Sequence, residues 1–356
     1  MVVRLGKNAE MHEEINKPIF VVGSPRSGTS ILAWCLGHHP NIFPVPESNW
    51  MGDFAVNVGI SYQIGAARGI FSILSAMGIS RDEFFSHIGR SINSLVLKHR
   101  NDLDRKRLIT AIQRLLKDEG LYLGEVTGEL DAATSAAIRQ YGIANGLLYS
   151  DMVDSLRTAA SDSEFKTRWV DQTPEYSFHI CGLRKLFPEA LFIHIVRDVT
   201  SVVRSMLNFH RVAGIRLVAN EEEAYKYWLR IVSACLEAEK AYGPRVIHRL
   251  RYSTLVEAPE SAMRSLLHFV GEPYSAKCLE PLSERINSSN VPADFDPRDP
   301  ATDPVIVEQA RELSDLLQNA PQLPEASTDI AKKFETEFNQ RVEYFYDLSG
   351  RPRFKS

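Results

Sequence analysis

A doubly wound α/β fold is the class this sequence predicts, and three observations carry it. The first is Ile19-Phe20-Val21-Val22, an apolar run without polar alternation, as expected of a strand buried on both faces of a parallel sheet. It passes through the loop Gly23 to Gly28 into a segment with Ile31, Leu32, Cys35 and Leu36 at helical spacing, which stops at Gly37 and Pro40. The second is the return of this strand-then-helix order: Leu191 to Val196 reads as a strand, Arg197-Asp198 as a turn, and Val199, Val202, Val203, Met206 and Leu207 as one helix face. The third is a further unit, a strand from Val246 to Leu250 leading through Tyr252 to a helix opened near Pro259 and lined by Met263, Leu266, Leu267 and Val270.

Between these units the character changes. Residues from about 54 to 160 show almost no strand signal. Leu108, Ile112, Leu115 and Leu116 form an amphipathic stripe, and Asp131 is placed to cap a helix running to Tyr141. A loop rich in proline and aspartate, Asp294 to Pro304, precedes helices expected around Val305–Leu317 and Thr328–Asp347. The domain plan is a discontinuous α/β domain over residues 17–100 and 160–290, a helical insert at 104–158, and a helical extension at 300–356.

Composition excludes other classes. At 356 residues, with 44% hydrophobic and 24% charged residues, the chain has a globular rather than a disordered profile. With 41 basic against 45 acidic residues, the net charge of −4 offers nucleic acid no general attraction. Cys35, Cys181, Cys235 and Cys278 are too scattered for a zinc site or a disulfide framework and read as reduced thiols. Neither an apolar leader in Met1 to Lys17 nor an 18-residue apolar span is seen, so a cytoplasmic protein without a stable membrane span is expected.

Chemistry concentrates first in Gly23-Ser24-Pro25-Arg26-Ser27-Gly28-Thr29-Ser30. Its G-x-x-x-x-G spacing, between a buried strand and a helix N-terminus, suits backbone N–H groups and a helix dipole converging on an anion. A nucleotide-hydrolysing loop would continue with lysine; here Thr29-Ser30 follow, and the cation is Arg26 inside the loop.

Pro25 to Ser30 resemble the 5′-phosphosulfate loop of sulfotransferases that use 3′-phosphoadenosine 5′-phosphosulfate (PAPS). Arg197, ending a strand, with Ser205 eight residues on, is similar to that family's 3′-phosphate element. Two helical turns bring such a hydroxyl back toward the arginine. Trp169-Val170-Asp171-Gln172-Thr173-Pro174 resembles a W-x-x-K-T-P segment, with Gln172 in place of the lysine, and Arg251-Tyr252-Ser253-Thr254-Leu255-Val256 resembles R-Y-E-x-L. The resemblance implies a P-loop-type three-layer α/β/α sandwich with a parallel sheet. It also implies sulfuryl transfer from PAPS, as co-substrate and without metal, to a hydroxyl acceptor, which could be a glycan, a tyrosyl group or a small molecule. Ser24, Pro25, Arg26, Ser27, Gly28, Thr29, Ser30, Arg197, Ser205 and Tyr252 would hold the donor. Arg26 would meet the leaving oxygen, and with Gln172 replacing lysine, Lys166 or Arg168 would be the other cations within reach.

Transfer to a hydroxyl needs a base. In the family's glycan- and tyrosine-directed members it is a glutamate after a His-Pro turn, which implies Glu47 after His39-Pro40, with His38 and His39 as rivals or helix C-caps. The insert has its own resemblance: Gly120-Leu121-Tyr122, Gly128 to Thr134 and Asn145-Gly146-Leu147 are similar to a three-helix peptidoglycan-binding module, whose equal alternative is a lid without glycan affinity. Other readings of the whole chain are a P-loop nucleotide kinase or NTPase, and a non-catalytic glycan-binding protein with a degenerate nucleotide site.

Overall fold

Five short strands form one parallel sheet in the order β2-β3-β1-β4-β5: β1 Ile19–Val22, β2 Ile42–Pro44, β3 Arg168–Asp171, β4 Leu191–Val196 and β5 Ile247–Arg251. The computed structural model describes residues 17–100, 105–146, 166–213, 216–283, 291–292, 295–322 and 325–350. Three of the strands are those expected from the sequence. The other two, β2 and β3, are three and four residues long, too short for a hydrophobic period to register. Arg168 and Asp171 also bracket β3 with charge.

Side chains alternate across the sheet and build two cores, which makes the architecture three-layered. Phe20, Phe43, Trp169 and Phe192 point to one face, under the helices Met51–Ala66, Ile180–Leu186, Glu221–Tyr242 and Thr328–Leu348. There Phe20 meets Trp169 edge-on at 5.5 Å and stacks on Phe192 at 5.3 Å. Ile19, Val21, Val170, Ile193 and Ile195 point to the other face, under the helices Thr29–Gly37 and Pro259–Val270. The C-terminal helices join the body: Phe338 and Val342 enter the first core, while Ala310 and Leu317 pack with Val199, Val203 and Trp228.

Because all strands are parallel, their C-terminal ends lie on one edge of the sheet. Each crossover helix carries the chain back to the opposite edge. β1 is followed by β2 on one side, while β4 lies on its other side, so a crevice opens beyond β1 where the strand order switches direction.

In the helical insert, Arg105–Asp118 and Ala132–Asn145 close on a small core of Ile109, Leu116, Tyr122, Ala137 and Ile138. Asp131 caps the second helix as expected, accepting the Thr134 N–H at 2.6 Å. The predicted stripe is rotated: Ile109 is buried and Leu115 is exposed. The reason is Gln113, a polar residue on the core line. Its Nε2 donates to Thr134 Oγ1 and to the Glu129 carbonyl, both at 2.9 Å, and its Oε1 accepts the Gly128 N–H at 2.9 Å. Fully bonded, the amide can sit where a hydrophobicity pattern expects leucine. Among the described residues no helix is long and apolar enough to cross a membrane.

Candidate active site at the carboxyl edge of the sheet

Every strand delivers a residue of the quoted motifs to the same edge, and all but β3 deliver a predicted site residue. Glu47 follows β2, Gln172 and Thr173 follow β3, the loop Gly23–Gly28 follows β1, Arg197 follows β4 and Tyr252 follows β5. In sheet order these place the glycine loop at the centre, with Arg197 and Tyr252 on one side and Glu47 on the other.

The loop has a conformation that its glycines make possible. Gly23 and Gly28 have φ of 138° and 104°, values that side-chain-bearing residues rarely adopt. A Cβ on Gly28 would lie 2.6 Å from the Tyr252 ring, and one on Gly23 would lie 2.5 Å from the Ile195 carbonyl oxygen. Ser177, just beyond β3, accepts the Gly23 N–H at 3.0 Å and fixes where the loop begins. Gly28 then caps the Thr29–Gly37 helix without a side-chain hydrogen bond, and no acidic residue occupies the first turn. An uncapped helix start of this kind concentrates N–H dipoles and positive potential at the loop.

Two guanidinium groups close over it. Arg26, itself at φ 70°, donates from Nε to Ser205 Oγ at 3.1 Å and lies over the Phe209 ring at 4.9 Å. Arg197 donates to the Arg26 carbonyl at 3.1 Å and lies over the Tyr252 ring at 4.6 Å. The structure therefore brings Arg26, Arg197, Ser205 and Tyr252 together, with Ser205 held by Arg26. Phe209 and Ser177 are members of this cluster that the sequence reading missed. Phe209 lies one helical turn beyond Ser205, so the i+4 spacing was the signal that pointed to it.

Four other candidates lie elsewhere. Lys166 is buried and donates to the carbonyls of Gly37 and Ile42, while Arg168 donates to the carbonyls of Lys17 and Val270 and pairs with Glu272. These partners belong to the amino edge of the sheet, because residues 166–168 enter β3 and only its last residue reaches the carboxyl edge. The expectation that Lys166 or Arg168 reaches the glycine loop is thereby corrected. His38 and His39 sit at that same far edge, where the crossover helix ends. His38 is the C-cap residue of the helix and bonds back to the Trp34 carbonyl at 3.0 Å. His39 is fully buried; its Nδ1 accepts the Asn41 N–H at 3.1 Å, so Nε2 carries the proton that it donates to the Pro273 carbonyl at 2.9 Å. Neither is placed to serve as a base at the loop.

Glu47 is half-buried and belongs to a segment that is held down on both flanks. Val45 N–H donates to the Val170 carbonyl at 2.9 Å, and Ser48 N–H to Thr173 Oγ1 at 3.0 Å. The Thr173 hydroxyl and N–H both donate to Asp171 Oδ1, at 2.7 and 2.9 Å. Tyr176 Oη accepts the Met51 N–H at 3.0 Å and pairs with Ser48 Oγ. The fully buried carboxyl of Asp171 thus anchors the glutamate-bearing segment. Alongside, the Tyr227 hydroxyl donates to Glu175 at 3.0 Å. Burial raises the Tyr227 pKa, and the charges of Glu175 and, more weakly, Glu47 add to the rise.

Burial pushes Asp171 up from 3.8 to about 6, against the pull of its hydrogen bonds from Ser48 and Thr173. Between these values the folded chain holds a proton that the unfolded chain has released. The stability this contributes is present at pH 4 and lost as the pH rises through about 6. Asp171→Asn should remove that dependence, a differential of at most about 3 kcal/mol between pH 4 and pH 7. Urea denaturation of both proteins at the two pH values measures it, and parallel changes in the two would show that Asp171 ionises as in the unfolded chain.

A helix start without a side-chain cap behind a glycine loop, at the switch point of a parallel sheet and with two arginines beside it, is the arrangement of an α/β protein with positive potential at the carboxyl edge of its sheet. The Sulfotransferase family model matches residues 99–276, half of the chain, and the chain belongs to that family. The match takes in β3, β4, Arg197, Ser205 and Tyr252 and begins after the glycine loop. The omega-hydroxy-beta-dihydromenaquinone-9 sulfotransferase of Mycobacterium tuberculosis is 29% identical over 107 residues, 28% of either chain. Protein-tyrosine sulfotransferase 1 of Danio rerio is 34% identical over 102 residues, 27% of either chain. The chain thus matches little more than a quarter of the length of these relatives. Among solved structures, the sulfotransferase domain of the Synechococcus PCC 7002 olefin synthase is 18% identical with a TM-score of 0.40, covering 96% of this chain and 98% of that one.

Proposed function

We propose that this protein transfers the sulfuryl group of PAPS to a hydroxyl acceptor and releases adenosine 3′,5′-bisphosphate. The observation that supports it most is the convergence of the glycine loop with Arg26, Arg197, Ser205 and Tyr252, a site with basic groups enough for a ligand with two anionic ends. The loop amides and Ser24 to Ser30 hold the 5′-phosphosulfate, with Arg26 neutralising charge that grows on the leaving phosphate oxygen. Arg197 and Ser205 hold the 3′-phosphate, and the Tyr252 ring packs against both Gly28 and Arg197. PAPS supplies an activated sulfur. The acceptor oxygen bonds to that sulfur, the bond from sulfur to the 5′-phosphate breaks, and Glu47 takes the acceptor proton. The residues fit this ligand on charge, and the Thr29-Ser30 sequence in place of a P-loop lysine argues against Mg-nucleotide hydrolysis.

Incubating the protein with PAPS, EDTA and a panel of hydroxyl acceptors, and reading product mass, tests the reaction. A gain of one sulfuryl group is expected. PAPS recovered intact with every acceptor would count against it.

The insert at 104–158 belongs to this proposal as a separable unit. Its described part has its own core and its own amide network around Gln113. Replacing it with a short Gly/Ser linker should leave a folded protein with unchanged affinity for adenosine 3′,5′-bisphosphate, read by calorimetry. Failure of the excised protein to fold would make the segment part of the main body.

A further inference from the structure

A cleft of about 670 Å³ lies between the first half of the Glu221–Tyr242 helix, the approach to that helix at Leu217 and Val218, and the start of the Pro304–Asn319 helix. Leu217, Val218, Leu229 and Ile306 line it as half-buried side chains together with Tyr227, and Glu223, Lys226, Arg230 and Gln309 complete the lining. Of its two cations, Lys226 is paired with Glu222 at 2.6 Å and Arg230 lies over the Tyr227 ring at 5.7 Å.

Tyr227 joins this cleft to the carboxyl edge of the sheet. Its side chain lines the cleft while its hydroxyl reaches Glu175, two residues beyond Thr173, whose hydroxyl oxygen accepts the N–H of Ser48 next to Glu47. We infer that this cleft seats the acceptor, and that the acceptor is a hydroxyl carried on an apolar body, aliphatic or aromatic, turned toward Glu47. The inference rests on the sulfuryl-transfer reading above. The volume falls within the ~300–1,000 Å³ that small-molecule sites occupy. A saccharide would leave the hydroxyls that face Leu217, Val218, Leu229 and Ile306 without partners, and in the polar part of the lining Lys226 is paired with Glu222 and Glu223 accepts the Ala219 N–H at 3.0 Å. An apolar body gains by desolvation against those four side chains and leaves its single hydroxyl for the carboxylates.

The test uses the full chain loaded with adenosine 3′,5′-bisphosphate and takes 1-naphthol as probe, with binding read by fluorescence. Saturable binding is expected, weakened at least tenfold by Ile306→Asp and restored by Ile306→Leu, with nucleotide affinity equal in all three. Leu229→Asp repeats the test from a second wall should Ile306→Asp fail to fold. In turnover with PAPS, 1-naphthol should be sulfated in preference to N-acetylglucosamine, and Ile306→Asp should raise KM for naphthol with little change in kcat. Naphthol binding that does not saturate or is indifferent to both aspartates, or preferential sulfation of the sugar, overturns the cleft assignment. Failure of the wild-type protein to bind adenosine 3′,5′-bisphosphate overturns the donor reading instead, and the fluorescence titration repeated without nucleotide then decides the cleft by itself.

Discussion

Glu47→Gln is expected to lower sulfuryl transfer by roughly 10²–10⁴-fold, the usual scale for loss of a general base, while leaving affinity for adenosine 3′,5′-bisphosphate unchanged. The substitution keeps the shape of the side chain and removes its basicity. The backbone of the segment is held independently of the carboxylate, through Val45 on Val170 and through Ser48 on Thr173 and Asp171, so the glutamine variant should keep the segment in place. His39 has both ring nitrogens committed at the far edge of the sheet, and Glu175, bonded to Tyr227, is the alternative carboxylate. Single-turnover transfer with the donor pre-bound isolates the chemical step. A Glu47→Gln rate within threefold of wild type would move the role away from Glu47, and Glu175→Gln would then be the informative variant.

The sequence made the centre of this site legible and left its margins obscure, for physical reasons. A buried strand, two glycines at positive φ and a helix start are contiguous, so the strand–loop–helix unit could be read directly. Arg197 and Ser205 were named through the family resemblance, and the structure brings both to the glycine loop, where Ser205 accepts from Arg26 and Arg197 donates to the Arg26 carbonyl. Lys166 and Arg168 misled because proximity in sequence to a motif is not proximity in space. β3 is only four residues long, yet it spans from one edge of the sheet to the other, and those two residues sit at the wrong end of it. Asp171 was quoted within a motif, but its role as the anchor of a segment more than 120 residues earlier is a tertiary pairing without local pattern. The rotated stripe of the insert has a similar cause: Gln113 is buried because its amide finds three partners, a condition no periodicity expresses.

Arg197→Ala is the second variant with a large expected effect, and it separates a two-ended nucleotide from a one-ended one. If the glycine loop takes the 5′ end and Arg197 with Ser205 takes the 3′ end, wild-type protein should bind adenosine 3′,5′-bisphosphate without magnesium and prefer it to 5′-AMP. Charged hydrogen bonds of this kind contribute roughly 1.5–3 kcal/mol, so the preference should be about 10- to 150-fold and should mostly vanish in the variant. Two roles of Arg197 must be kept apart. It also donates to the Arg26 carbonyl and lies over Tyr252, so its loss could loosen the loop and weaken both nucleotides alike. Affinity for 5′-AMP reports that second effect alone, because 5′-AMP lacks the 3′-phosphate. A variant that loses affinity for the bisphosphate while keeping that for 5′-AMP supports the 3′-phosphate assignment, whereas equal losses for both make Arg197 a support of the loop. Equal wild-type affinity for the two nucleotides in calorimetry would reject a two-ended donor altogether.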